Sequence, residues 1–98
     1  MNIGAKIGYP AVMEQTAEEC VELAQVCLKI ARKLRGENPT PKRGADLIND
    51  FLEEFSDVMV CIDALDESGL IDHEKVAEMK EIKRERWERR IREAKGDA

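Results

Sequence analysis

The chain has 98 residues, of which 43% are hydrophobic and 38% charged, with a net charge of −5. That length fits a single small domain near the lower end of independently folding sizes. The acidic balance argues against general nucleic-acid binding, which relies on a basic surface, and no run approaches the roughly 18 consecutive apolar residues of a membrane span.

Taken in chain order, residues 1–10 read as an irregular start punctuated by Gly4, Gly8 and Pro10. This stretch carries Lys6 but no signal-peptide apolar core, so the expectation is a cytoplasmic protein. Helical periodicity runs over 11–35, and Gly36, Asn38, Pro39, Pro41 and Gly44 mark a loop over 36–44. A second helix is predicted over 45–67, a tight connection at Ser68 and Gly69, and a basic third helix over 72–95 with Asp72 as its N-cap. No useful strand-like alternation is present. The predicted fold class is all-α: one domain, residues 1–98, with three main helices per chain.

Two short acidic clusters interrupt the apolar pattern, Glu18-Glu19-Cys20-Val21-Glu22 and Glu54-Phe55-Ser56-Asp57. With Glu19 at zero on a wheel of about 100° per residue, Leu23, Val26 and Ile30 fall within about 40° of it and Glu22 about 60° to one side. With Glu54 at zero, Leu47, Val58 and Leu65 lie within about 40°, and Asp57 again about 60° to the same side. Glu18 falls among the polar Gln25, Lys29 and Arg32. Each helix therefore carries one carboxylate in its apolar stripe and a second at the edge, three residues on. Such groups are costly to bury without a partner, and four of them facing one another demand protonation or a cation. Oxygen ligands without a His or Cys cluster suit Mg²⁺, with Mn²⁺ a possible substitute, and Mg²⁺ commonly bridges carboxylates to substrate phosphates. An acidic chain also produces such spacings on ordinary solvated helix surface.

Val21 and Leu28 form a second apolar ridge on the first helix, and Val60 one on the second. Three helices leave part of this surface uncovered, so a homodimer or homotetramer completing a four-helix core is predicted. Charge is uneven along the chain: residues 1–74 hold 7 Lys/Arg against 15 Asp/Glu, and residues 75–98 hold 9 against 6. On the third helix Lys83, Arg86 and Arg90 flank the stripe of Val76, Met79 and Trp87, placing them to meet an anion such as a phosphate, or to snorkel over apolar surface. Lys42 and Arg43 are weaker phosphate candidates.

The paired motifs resemble the EExxE…ExxD signature of MazG-like nucleoside triphosphate pyrophosphohydrolases, an all-α NTP pyrophosphatase superfamily with dimeric dUTPases as relatives. The resemblance spans residues 15–91 and includes the basic stretch from Val76 to Ile91. It implies Mg²⁺-dependent hydrolysis of a nucleoside triphosphate to the monophosphate and pyrophosphate. Carried over by motif position, Glu19, Glu22, Glu54 and Asp57 become the metal ligands, and Glu18 takes a catalytic, water-positioning or outer-shell role. The interval between Glu22 and Glu54, 31 residues, is longer than in many members and contains the predicted loop. Two other readings stand beside this one: a non-catalytic helical interaction or regulatory module, and a degenerate member that binds nucleotide without turnover.

Other residues read as structural. His73 has no neighbouring Cys or second His and reads as a surface residue. Trp87 lies in the apolar stripe and reads as packing, although both it and Tyr9 could stack on a base. Cys20, Cys27 and Cys61 read as small reduced hydrophobes. Asp50 lies near the acidic edge and could join an outer shell, whereas Asp63 faces solvent.

Overall fold

The computed structural model describes residues 1–37 and 41–96. Among them it contains helices and no strand: α1 (Ile3–Ile7), α2 (Tyr9–Arg35), α3 (Gly44–Glu67) and α4 (His73–Ala94). The chain divides into two compact units, Met1–Ser68 and Gly69–Ala98. No helix is long and apolar enough to cross a membrane among the described residues. The all-α class predicted from periodicity holds; Asn38 and Pro39 of the predicted loop lie outside the described residues.

The N-terminal stretch differs from its irregular reading. Asn2 caps α1 by accepting the Ala5 N–H through its side chain at 3.0 Å. Gly8 then separates α1 from α2 with φ +90° and ψ 154°, a conformation that a residue with a Cβ rarely adopts. Pro10 falls in the first turn of α2, where an amide N–H would have no helical partner and its loss costs nothing.

In the first unit α2 and α3 form an antiparallel hairpin. Ile30 and Lys33 share a cleft with Gly44 and Leu47, while Val12 and Gln15 share a cavity with Cys61 and Ala64. The end of α2 thus lies against the start of α3, and its start against the end of α3. Val12, Leu47, Cys61, Ala64 and Leu65 are buried, and Leu23, Val26, Ile30, Phe51 and Val58 are half-buried along the seam. Phe51 and Phe55 stack one turn apart with ring centroids separated by 5.8 Å.

Helix α1 belongs to the same unit, clipped across the end of α3. The Tyr9 hydroxyl donates to the Ser68 carbonyl at 2.6 Å, and the Asn2 amide donates to the Glu67 carbonyl at 3.4 Å. Gly4 is buried in this contact, and a Cβ there would collide with Ser68 Oγ. A larger residue there would have to turn the Ser68 hydroxyl away from its bond to the Ala64 carbonyl.

In the second unit α4 starts at the predicted cap: Asp72 accepts the Lys75 N–H through its side chain at 3.0 Å. Arg84 pairs with Glu88 at 2.9 Å and Arg89 with Glu93 at 3.9 Å, both one turn apart on exposed surface. Every residue of α4 is exposed. Trp87 is 68% exposed, so the packing role read from its stripe does not hold. Cys61 is buried, as a small hydrophobe would be, but Cys20 and Cys27 are exposed and fill no core. Both lie at the border of the stripe on α2, about 80–100° from Glu19 on the wheel.

Candidate metal centre

The antiparallel hairpin explains why four carboxylates meet. Side chains displaced in the same angular sense from the facing stripe of each helix lie on one side of an antiparallel seam, and on opposite sides of a parallel one. Glu22 and Asp57 carry the same displacement, so they flank one edge, with Glu19 and Glu54 between them at the seam. One oxygen from each of Glu19, Glu22, Glu54 and Asp57 can be chosen so that all lie within 4.8 Å of one another. Two oxygens on opposite sides of a Mg²⁺ ion stand about 4.2 Å apart, twice its usual bond length, and Ca²⁺ spans slightly more. The group is therefore of the right size to close around a divalent ion with small side-chain shifts.

Burial divides the four unequally. Glu19 and Glu54 are half-buried, and Glu22 and Asp57 are exposed. Oε2 of Glu19 and Oε2 of Glu54 are both buried without a hydrogen-bond partner. Such atoms are rare in native proteins, since each forfeits its hydration without compensation. Removal from water pushes the Glu19 carboxyl above its ordinary value; the Gln15 amide draws it partly back, and the charges of Glu22 and Asp57 raise it again. A divalent cation between the carboxylates would supply both missing partners and the missing countercharge.

The other sequence-predicted residues fall elsewhere. Glu18 is exposed and stands outside the group of four. Lys83, Arg86 and Arg90 are exposed on α4, in the second compact unit. Lys42 is paired with Asp50 at 2.6 Å, which raises the Lys42 amine above its ordinary value, and Arg43 is paired with Asp46 at 3.1 Å. Asp50, a candidate for the outer shell by its wheel position, is the residue that pairs with Lys42. Sequence reasoning did not single out Gln15, which donates through Nε2 to Glu19 Oε1 at 2.8 Å. The available signal was its position one turn before Glu19. Cys61 lies close enough to feel Glu19 and Asp57, but burial first of all pushes its thiol up, away from a reactive thiolate.

Compared with known proteins, the chain matches no family model, no curated protein and no solved structure.

Proposed function

We propose that the chain is a Mg²⁺-dependent nucleoside triphosphate pyrophosphohydrolase, converting an NTP or dNTP and water to the monophosphate and pyrophosphate, and working as a homodimer or homotetramer in the cytoplasm. The observation that carries this reading is the convergence of Glu19, Glu22, Glu54 and Asp57, with two buried carboxylate oxygens left without partners. In it these four residues hold the cation. When bound, the ion polarises phosphoryl oxygens and lowers the pKa of a coordinated water. Glu22 and Asp57, on the open edge of the seam, are the carboxylates that a solvated triphosphate can approach. Glu18, one residue before the cluster, is assigned to positioning water, and Lys83, Arg86 and Arg90 supply cations for the phosphates. The exposed ridge of Val21 and Leu28 on α2, with Val60 exposed on α3, supports a second copy as partner, because covering such surface would complete a four-helix core. Three free thiols suit a reducing compartment.

The test is pyrophosphate release from a panel of NTPs and dNTPs with Mg²⁺ or Mn²⁺, for the parent, Glu19→Ala and Asp57→Ala. The expected result is monophosphate and pyrophosphate from the parent alone and only with metal, with each variant reduced by about two orders of magnitude or more. A parent that turns over no nucleotide, beside variants that melt at or above its temperature, would return the cluster to ordinary helix surface. It would also favour a helical interaction module, a reading that one observation supports: α4 has no buried residue and presents Trp87 to solvent.

A further inference from the structure

Glu19 has two carboxylate oxygens in different circumstances. Oε1 accepts a hydrogen bond from Gln15 Nε2 at 2.8 Å, and Oε2 is buried without a partner in the seam that carries the other three carboxylates. A carboxylate free at both ends turns about its last torsion; one held at Oε1 presents Oε2 in a fixed direction. Gln15 is exposed on α2. It lines a cavity of about 140 Å³ together with Ile3 and Ile7 of α1 and Val60, Cys61 and Ala64 of α3. Asn2, the cap of α1, and Tyr9, the first residue of α2, both bond to the end of α3. Helix α1, Gln15 and the end of α3 thus border one cavity, and from its rim Gln15 reaches the carboxylate of Glu19.

We infer that Gln15 is a positioning residue of the carboxylate cluster, aiming Glu19 Oε2 at a divalent cation. This inference rests on the reading of the cluster as a cation site. The chemistry of the donor suits the role. A neutral amide fixes Glu19 without neutralising it, whereas Lys or Arg in its place would compete with the ion for the same charge. Carboxylates that ligate metals are commonly held by an outer hydrogen bond of this kind, and losing it weakens metal binding about tenfold or more. The competing explanation is that Gln15 and Glu19 are an ordinary surface pair one turn apart, which supports the helix and nothing else.

The full chain is titrated with Mn²⁺ by calorimetry, and the spectrum of the bound ion is recorded by electron paramagnetic resonance. Gln15→Met keeps the length of the stem and removes the donor; Gln15→Leu repeats the change with a different shape. Gln25→Leu, an exposed glutamine of the same helix outside the cluster, is the control. Both Gln15 variants should bind Mn²⁺ about tenfold more weakly and change its spectrum. Their melting temperatures in EDTA should fall only slightly, as loss of one exposed hydrogen bond to Glu19 requires, and Gln25→Leu should match the parent throughout. Parental affinity and spectrum in both Gln15 variants would overturn the assignment of Gln15 and leave the cation site standing. Weaker binding accompanied by an equal loss of stability in EDTA would make Gln15 a packing residue and also overturn it. A parent that binds no Mn²⁺ would overturn the cation site and this inference together.

Discussion

The Glu19 carboxyl is raised above its ordinary value in the folded chain, and stability should register it. Desolvation comes first among the causes that raise its proton affinity, followed, after the opposing Gln15 bond, by repulsion from Glu22 and Asp57. The folded chain therefore binds the Glu19 proton more tightly than the unfolded chain, and its contribution runs against the usual carboxylate trend. As pH rises from the ordinary value of 4.5 through the raised folded value, this group withdraws stability. Melting curves in EDTA across that interval should show the parent losing stability with pH relative to Glu19→Gln. With millimolar Mg²⁺ the difference should reverse, because the ionised form is then the bound form, and a concentration of about 100 times Kd would stabilise the fold by about 2.7 kcal/mol. Parallel curves for parent and variant in EDTA would remove Glu19 from the account. The acidic residues themselves were legible from their sequence spacing on the wheel. The lone oxygens and the Gln15 bond were not, since they depend on rotamers and on what lies across the seam.

At the scale of elements, the hairpin rests on a small set of buried side chains, and Leu47, 2% exposed, is the most enclosed of them. Leu47→Ala should cost about 2–5 kcal/mol by removing methyl groups from a closed site. Leu34→Ala, at a residue 83% exposed, should stay within about 0.5 kcal/mol. Urea unfolding of the two variants checks the contrast, and equal losses would mean that the seam is not the core. The long helices were legible because their apolar residues recur at helical spacing, and the Asp72 cap because a side-chain acceptor stands at the first turn of α4. The N-terminus was misread because Gly and Pro have two uses. Gly8 breaks the chain between α1 and α2, while Pro10 opens α2. Periodicity also says which face of a helix is apolar without saying whether anything covers it, and for that reason Trp87 was read as packed.

For the whole molecule, the apolar surface left open bears on assembly. Val21, Leu28 and Val60 are each more than half exposed, and each lies outside the stripe with which α2 and α3 face one another. Light scattering coupled to size exclusion should give the parent the mass of a dimer or tetramer, and Leu28→Glu, a charge placed in that ridge, the mass of one chain or a smaller assembly. A parent of monomeric mass at all concentrations would remove the oligomer from the proposed function. The clip between the N-terminal segment, residues 2–9, and the end of α3 carries a consequence of another kind. Its two hydrogen bonds join residues 65 and 59 positions apart, whereas the hairpin builds outward from a short connection. Contacts that close the longest stretches of chain cost the most loop entropy and tend to form late. The clip should therefore be absent when the first unit crosses its folding barrier. Tyr9→Phe should accelerate unfolding several-fold and leave the refolding rate nearly unchanged, so the N-terminal segment would govern how long the fold lasts more than how fast it is reached.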